Sequence, residues 1–311
     1  MGNVLNFFSR KPSAPVSVSG EPLTGLLQSF SLEVMPRTAA KIESFADILP
    51  AGSRVYIAHI DGTPIEDMVA TAKRIAAEGM QVMPHLPARI IPDRATLNDW
   101  LARYAGEAGV DQALLLAGGL STPKGDFHSS MQLMETGLLD AHGITRLHVA
   151  GHPEGNRDID SHGDTVIMEA LRWKQDFANR TDAKMAIATQ FCFDAAPIFD
   201  WAARLKEGGV DLPIHIGVAG PAKLQTLVKF AMTCGVGPSV RVLQRRAADV
   251  TKLMLPFTPE SLLRDIAARK AADPALQIEA VHFFPLGGIK ATTDFTGRFS
   301  SAGAMRARVQ A

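Results

Sequence analysis

The feature that most constrains the fold of this 311-residue chain is a regular alternation of short apolar runs with amphipathic stretches. The apolar runs are predicted strands, and they occupy residues 30–34, 54–60, 81–86, 112–116, 146–150, 185–190, 213–217 and 280–284. Seven of these eight runs are nearly continuous in apolar residues, which is typical of parallel strands buried on both faces. The stretches between them have the periodicity of amphipathic helices and indicate repeated strand–helix units.

Eight strand–helix units in a chain of this length predict an α/β fold of the (β/α)8 TIM-barrel type. An open, doubly wound sheet is the alternative, but no GxGxxG motif follows the first strand and the alternation is unbroken. We therefore expect a single barrel domain over residues 26–311, preceded by a loose N-terminal arm over residues 1–25. Functional residues of such a barrel lie at the C-terminal ends of its strands.

Charge and cysteine content argue against several classes of protein. The 32 basic and 32 acidic residues cancel, so neither nucleic acid nor an anionic membrane is an expected partner. No apolar run approaches the roughly 20 residues that a membrane span requires. Cys192 and Cys234 lie in apolar contexts, and we expect them to be reduced thiols of a cytoplasmic protein. The sequence contains no motif that predicts a metal site.

One carboxylate stands inside the first predicted strand, where Glu33 lies between Leu32 and Val34. An ionised carboxylate that is buried without a partner loses several kcal/mol of hydration. Glu33 therefore either pairs with a cation, such as nearby Arg37, or keeps its proton through a raised pKa. A carboxyl group that keeps its proton near neutral pH is suited to general acid catalysis.

Other polar residues and glycines end the later predicted strands, and each has a structural alternative. His85 is either a ligand-binding residue or a histidine that is hydrogen-bonded at its strand end. Gly118 and Gly119 permit either the close approach of a flat or anionic ligand or a tight turn. His152 supplies a ring that can stack on a ligand, and the amide of Gln190 suits the edge of a heterocycle.

Three residues of the predicted helices and their caps have two interpretations as well. Lys174 is either a phosphate ligand or a solvated lysine. Asp194 is expected to cap the helix that follows it. Phe230 is expected to pack into the core, and stacking on a ligand is the alternative.

Several short segments, most of them at predicted strand ends, carry a resemblance to a known family. They are SLEVMPRT (31–38), MPHL (83–86), AGHPE (150–154), TQFCFD (189–194) and HFFPL (282–286), with GDF (125–127) after the fourth strand. In type and order these segments resemble the methylenetetrahydrofolate reductase family, the flavoprotein barrels of one-carbon metabolism. The resemblance runs from about Phe30 to the end of the chain.

The resemblance implies a site at the barrel mouth that holds FAD and a reduced folate. By motif position, the residues implied to bind the cofactor are His85, Ala117, Gly118, Gly119, His152, Asp164 and Lys174. Gln190 would hold the folate substrate, and Phe230 would stack on its aminobenzoate ring. Glu33 would be the general acid that protonates the amine nitrogen of the bridging methylene, and the flavin would deliver the hydride.

The end of the fourth strand departs from the family pattern. The family usually has Arg-Gly-Asp at positions that are Ala117, Gly118 and Gly119 here. An aspartate near the flavin pyrimidine opposes the negative charge of the reduced flavin, so its loss makes the flavin easier to reduce. Our hypothesis is that the protein works in the oxidative direction, from methyl- to methylenetetrahydrofolate, as in the catabolism of methyl groups.

The family tyrosine after the fifth strand is replaced by His152. Because the dinucleotide uses the same flavin face in this family, both changes leave open whether NADH or another electron partner acts. A homo-oligomer or a separate electron-transfer partner is also left open. Two other functions compete with this hypothesis: a pterin-dependent methyltransferase barrel, and a non-catalytic subunit that binds flavin or folate and needs a partner.

Overall fold

The predicted alternation of strands and helices is present in the computed structural model, which describes residues 21–161, 163–236, 242–243 and 256–299. The strands are β1 Ser31–Val34, β2 Arg54–Ile57, β3 Gln81–Pro87, β4 Gln112–Leu116, β5 Arg146–Gly151, β6 Lys184–Cys192, β7 Ile214–Ala219 and β8 Ile278–Phe284. Helices of the described residues are α1 Glu21–Leu26, α2 Pro36–Ala39, α3 Ile65–Ala77, α4 Arg94–Ala108, α5 Ser130–Glu135, α6 Leu138–Ala141, α7 Thr165–Ala178, α8 Ala195–Glu207, α9 Leu224–Thr233, α10 Glu260–Ala272 and α11 Ile289–Gly297.

The strands close into one parallel barrel in chain order, from β1 to β8. Closure is made by β1, because Ser31 lies opposite Arg54 on β2 and opposite His282 on β8. The (β/α)8 prediction is therefore confirmed, and the open doubly wound sheet is excluded because its first and last strands would not pair. All eight predicted strands are present, with ends that differ by a few residues.

The two faces of the strands differ in chemistry. Outward-facing side chains such as Leu32, Val55 and Phe283 are buried in the large apolar core between barrel and helices. The barrel interior holds only a small apolar cluster, which includes Met83 and Leu114. This contrast follows from strand geometry, since successive side chains point to opposite faces.

Much of the barrel interior is polar. Ser31, His148, His215 and His282 are all at most 3% exposed, and each lies on a strand that the sequence presents as mainly apolar. The strands are therefore buried on both faces as predicted, but the buried side chains at these positions are polar. Interior residues of a TIM barrel are commonly bulky, branched and apolar. This barrel therefore has less apolar packing in its interior than is usual for the fold.

Helix α4 illustrates how local sequence determines the helix ends. The side chain of Asp93 accepts a hydrogen bond of 2.7 Å from the backbone N–H of Thr96, which satisfies a free donor of the first turn. The helix ends at Gly109, whose φ of 62° is accessible to glycine at little cost. None of the helices among the described residues is long and apolar enough to cross a membrane.

The N-terminal boundary differs from the prediction. Helix α1 starts at Glu21, inside the segment that was expected to be a loose arm, and Leu23 and Leu26 are buried in the main core. Apolar side chains of α1 therefore belong to the packed barrel, and the expected boundary at residue 25 is wrong. Residues 1–20, the rest of the predicted arm, lie outside the described residues.

Candidate functional site

The C-terminal end of the barrel brings together residues that are far apart in the sequence. Glu33 lies near the end of β1, and its interior-facing carboxylate meets histidines from β3 and β8. The Nε2 atom of His85 lies 3.2 Å from Oε2 of Glu33, and Nε2 of His282 lies 4.0 Å from the same oxygen. Ser31 orients the second histidine, since its Oγ is 2.9 Å from Nδ1 of His282.

The contact between Glu33 and His85 has the distance of an ion pair without the alignment of a hydrogen bond. Nε2 of His85 is buried and has no hydrogen-bond partner among the described residues. The imidazole is therefore close enough to stabilise a carboxylate and is also free to bond to a ligand. This places His85 beside the group that the sequence marked as the acid, while its predicted contact with a flavin stays a prediction.

The environment of Glu33 favours its ionised form. Burial alone would raise the pKa of Glu33, but the charge of His85 and the polar contacts with His282 and His85 together hold that pKa well below its usual value. The expectation of a proton retained through a raised pKa is therefore wrong. Its physical reason is that histidines from two other strands, rather than Arg37 or an apolar wall, surround the carboxylate.

The ring of Tyr56 lies beneath this pair and connects it to the barrel interior. Its centroid is 6.2 Å from the ring of His85 and 4.3 Å from that of His282. Its hydroxyl lies 2.5 Å from Nδ1 of His148, deeper in the barrel. The ring of Tyr56 on β2 thus helps to position the two histidines that surround Glu33, in addition to the charge of the carboxylate.

The end of β4 forms a tight backbone corner against the segment that follows β3. The carbonyl of Ala117 accepts a hydrogen bond of 2.9 Å from the backbone N–H of Arg89. Gly118 has a φ of +92°, and a Cβ atom there would lie 3.1 Å from Cβ of Pro87. The turn interpretation of Gly118 is therefore sufficient to explain the residue. Gly119 is exposed and has open space where a side chain would begin.

A second group of candidate residues lies on β5 and α7. Lys174 is buried on the inner face of α7 together with Ile167 and Leu171, so the solvated-lysine alternative is wrong. Burial lowers the pKa of Lys174 to about 8, which leaves most of the ammonium protonated at neutral pH. No carboxylate pairs with it in the described part of the chain, so this site favours an anionic ligand such as a phosphate.

His152 lies near Lys174 and is a neutral ring at neutral pH. Burial and then the charge of Lys174 lower the pKa of His152 to about 4. A neutral imidazole next to an ammonium can stack on or donate to a ligand without adding charge. Asp164 is not part of this pair: it precedes the first residue of α7, about 15 Å along the helix axis from Lys174, and pairs with Arg204 at 3.2 Å.

Gln190 occupies an irregularity in β6. The register between β6 and β7 shifts between Ala188 and Phe191, and such bulges redirect side chains next to functional sites. Gly217 makes this possible, because a Cβ there would lie 2.3 Å from the carbonyl oxygen of Thr189. The side-chain oxygen of Gln190 accepts a bond from the N–H of Phe191 at 3.0 Å, which leaves its amide hydrogens for a ligand.

The expected core position of Phe230 is wrong. The buried face of α9 is formed by Leu224, Leu227 and Ala231, and the ring of Phe230 is 37% exposed. An exposed aromatic ring is what stacking on a ligand requires. Asp194, in contrast, caps α8 as expected, because its carboxylate accepts a hydrogen bond from the N–H of Ala196.

Sequence reasoning missed most of the residues that surround Glu33. Ser31 and His282 lie within the family-like segments but have no predicted role, and Tyr56, His148 and His215 are not predicted at all. The available signal is a polar residue inside an apolar strand, one or more positions before the strand end. In a barrel such a residue faces either the interior or the helices, and a buried polar group in either place needs a partner.

Comparisons with known proteins show similarity in architecture only. The chain matches none of the known protein-family profiles. Solved structures that resemble it include 7,8-dihydropteroate synthase from Vibrio fischeri ES114, at 13% identity and a TM-score of 0.43, which covers 92% of this chain and 95% of that chain. Another is a dihydropteroate synthetase with its product, at 11% identity and a TM-score of 0.41, covering 90% and 96%.

The carboxyl transferase domain of Rhizobium etli pyruvate carboxylase resembles the chain at 12% identity with a TM-score of 0.39. The match covers 94% of this chain and 55% of that chain, so this protein spans about half the length of that relative. Similarities at this level carry no information on substrate or reaction. The barrel fold itself is established by the pairing of its strands.

The two adjacent glycines after β4 provide a matched test of this geometry. We expect Gly118→Ala to reduce the free energy of unfolding by about 1–3 kcal/mol, because alanine is strained at that φ and its Cβ would press on Pro87. Gly119→Ala is the control, since its backbone is unstrained and its Cβ meets no atom. Urea unfolding measures both, and equal stability of the two variants would contradict the tight corner.

Proposed function

We propose that the protein is a flavin-dependent oxidoreductase that interconverts 5,10-methylenetetrahydrofolate and 5-methyltetrahydrofolate. The observation that carries this proposal is the buried Glu33 carboxylate, which the histidines of β3 and β8 flank at the C-terminal end of the barrel. This arrangement can exchange a proton with a substrate nitrogen. The strand-end segments that resemble methylenetetrahydrofolate reductases surround the same end of the barrel.

Residues of the chain fit an extended, anionic cofactor such as FAD. Lys174 offers a buried ammonium for a phosphate, and His152 offers a neutral ring beside it. The close backbone corner at Gly118 suits a flat ring system, since no side chain projects from it. FAD supplies the hydride chemistry that amino-acid side chains lack.

Glu33 donates or accepts the proton that is transferred in the proposed reaction. In the reductive direction its carboxyl group gives a proton to N10 of the folate as the bond from N10 to the methylene carbon breaks, which leaves an iminium at N5. In the oxidative direction N10 attacks that carbon and its proton passes to the Glu33 carboxylate. Glu33 is thus a general acid in the reductive direction and a general base in the oxidative direction.

The ionised state of Glu33 supports the oxidative direction. A carboxylate that its histidines keep ionised is available as a base for the proton of N10, whereas a reductase needs this group protonated at the start. Gly119 supports the same direction, because the absence of a carboxylate at this position favours a reduced, anionic flavin. We infer that methyltetrahydrofolate is the substrate and methylenetetrahydrofolate the product.

The folate would be held by residues on three elements. Gln190 has amide hydrogens available for the edge of the pterin, and His85 has a ring nitrogen without a partner among the described residues. Phe230 exposes its ring on α9 and offers a surface for the aminobenzoate ring. These contacts suit a ligand with a heterocycle at one end and an aromatic ring in the middle.

The anaerobic visible spectrum of the purified protein tests this function directly. We expect a yellow protein whose flavin absorption bleaches when methyltetrahydrofolate is added, because the methyl group gives up a hydride. Bleaching with NADH alone would instead indicate an ordinary reductase. A protein that binds folate but cannot be loaded with FAD would contradict the proposal and favour a methyltransferase, and a bound flavin that folate cannot reduce would favour a binding subunit.

Glu33→Gln isolates the proton-transfer step. We expect the reoxidation of the reduced flavin by methylenetetrahydrofolate to slow by about 10²–10⁴-fold, because glutamine cannot protonate N10. Folate binding is expected to persist, which equilibrium titration measures, and Glu107→Gln on the exposed face of α4 is the control. If the flavin of the Glu33→Gln protein is reoxidised at the wild-type rate, Glu33 does not have this role.

Gly119→Asp tests the reason for the reaction direction. The new carboxylate enters open space, and we expect it to lower the flavin midpoint potential by about 30 mV or more, the equivalent of about 1.4 kcal/mol for two electrons. Gly106→Asp, on the outer face of α4, controls for the added charge. Redox titration measures both, and an unchanged or raised potential in Gly119→Asp would contradict the explanation.

A further inference from the structure

A line of polar side chains crosses the barrel interior from one end to the other. It starts at Glu279, which is 55% exposed near the N-terminal end of β8, and ends at Glu33 near the C-terminal end of β1. Between them lie five buried residues, which together with the two glutamates we call the polar line: His215, His148, Tyr56, Ser31 and His282. The described interior thus connects solvent at the bottom of the barrel with the carboxylate at its mouth.

Consecutive members of the polar line are in contact. Oε2 of Glu279 lies 2.7 Å from Nε2 of His215, and the Tyr56 hydroxyl lies 2.5 Å from Nδ1 of His148. The Ser31 hydroxyl acts on the Tyr56 phenol as well, because it opposes the rise that burial causes in the pKa of that phenol. At the upper end, the hydroxyl of Ser31 bonds to His282, whose Nε2 is 4.0 Å from Glu33.

Two steps of the line are longer than a hydrogen bond: Nε2 of His282 lies 4.0 Å from Glu33, and His148 meets His215 through a ring contact. The rings of His148 and His215 have centroids 4.6 Å apart and are nearly perpendicular. Each of these histidines has one buried ring nitrogen without a partner in the described part of the chain: Nε2 of His148 and Nδ1 of His215. These two nitrogens are the atoms that remain to complete the line.

The polar line is costly for the barrel. Each buried imidazole or hydroxyl must recover the hydration that it loses, and a fully branched apolar interior would avoid that cost. Local departures from the most stable choice are expected at functional positions. A continuous set of such departures, aligned between solvent and one carboxylate, indicates a function along the whole line.

The charges around the line keep its inner histidines neutral. Burial lowers the pKa of His148 and of His215, and the positive charges of Arg54 and Arg146 lower both further. Glu279 has the opposite effect on His215, but the pKa remains below its ordinary value. A neutral imidazole accepts a proton at one nitrogen while it releases one from the other.

We propose that the polar line is a proton relay that connects Glu33 with solvent at the opposite end of the barrel. This inference rests on the proposed function, in which a cofactor and a folate cover the mouth and separate Glu33 from the solvent above it. The relay gives the proton taken from N10 a route out of the closed site. Its members other than Glu33 are positioning residues, since they act through Glu33.

The upper half of the relay moves one proton without a change in charge at its intermediates. Protonation of Glu33 removes the negative charge that holds the hydrogen of His282 on Nε2, and the ring changes to the tautomer with its hydrogen on Nδ1. Protonated Glu33 then gives its proton to Nε2 of His282, which releases the proton on Nδ1 to the hydroxyl of Ser31. That hydroxyl in turn passes its own proton to the oxygen of Tyr56. Each group gains one proton and loses one, and the histidine changes tautomer.

The lower half completes the transfer. Tyr56 passes its proton to Nδ1 of His148, which releases the proton on Nε2 to Nδ1 of His215. His215 then releases the proton on its Nε2 to the carboxylate of Glu279, which loses it to water. The net change is one proton moved from Glu33 to solvent, and the reverse sequence delivers one proton in the reductive direction.

The proton and the flavin can be followed separately in one anaerobic stopped-flow experiment. Methyltetrahydrofolate is mixed with the FAD-loaded protein in weak buffer, and flavin absorption and a pH-indicator dye are recorded together. Conversion of methyl- to methylenetetrahydrofolate with reduced, anionic flavin releases one proton. In the parent protein we expect proton release to keep pace with bleaching.

Two variants interrupt the relay at different points. Glu279→Gln removes the acceptor at the exposed end, and Tyr56→Phe removes one hydroxyl while it keeps the ring. In both we expect bleaching near the parent rate and proton release slower by about tenfold, a fraction of the total effect of general acid–base catalysis. Glu107→Gln, which removes an exposed, ion-paired carboxylate on α4, is the control and should match the parent.

Ring-nitrogen NMR of histidine-labelled protein gives a readout that does not depend on turnover. If His215 and His148 share a hydrogen bond, Glu279→Gln moves the ring resonances of both, because the carboxylate that fixes the tautomer of His215 is lost. If the two histidines share no hydrogen bond, Glu279→Gln moves the ring resonances of His215 only. Glu107→Gln should move neither.

The possible outcomes separate the relay from the proposed function. Proton release at the parent rate in both variants, or ring resonances of His148 that do not respond to Glu279→Gln, would overturn the relay while bleaching still supports the function. If the flavin of the parent protein does not bleach, the proposed function is wrong. The NMR spectra of the parent and Glu279→Gln proteins then show by themselves whether Glu279 and the inner histidines are coupled. A delay in proton release with coupled resonances supports the relay.

Discussion

The interaction on which the rest of the site depends is the burial of one carboxylate near the end of β1. An unpaired charge there would cost several kcal/mol, so the barrel surrounds Glu33 with imidazoles from β3 and β8. Ser31 forms a hydrogen bond with the ring of His282, and the ring of Tyr56 packs against both histidines. Replacing a buried charge cluster by apolar residues often makes a protein more stable, so its presence here is better explained by chemistry than by folding.

The fold and the outline of the site follow from the sequence because both depend on local patterns. Alternation of apolar runs and helical stretches predicts the barrel, and barrel geometry then predicts that strand ends such as Glu33 and Gln190 meet at one edge. The caps at Asp93 and Asp194 follow from residue type and position alone. These features need no knowledge of which side chains meet across the barrel.

The electrostatics of the site could not be predicted in this way, because they depend on contacts between distant strands. Glu33 and His282 are on the first and last strands, and only closure of the barrel brings them together. Without that contact the apolar neighbours of Glu33 argue for a raised pKa, and with it the pKa is lowered. Phe230 shows the same limit for helices. A shift of one position along α9 changes whether a side chain faces the core or the exposed surface, and the sequence pattern does not distinguish the two.

The direction that we propose for the reaction rests on two features, one carboxylate that is present and one that is absent. A carboxylate stabilised by histidines is ready to accept a proton, and a fourth strand without a carboxylate at Gly119 does not oppose negative charge on a reduced cofactor. In the proposed reaction, the first feature keeps Glu33 ionised and so available as the base for the proton of N10, and the second stabilises a flavin that has taken up the hydride. A barrel with an aspartate near the cofactor and a carboxyl on β1 that keeps its proton would start the reductive direction with its general acid in place and with a more strongly reducing flavin, so both positions would prepare the site for the same direction.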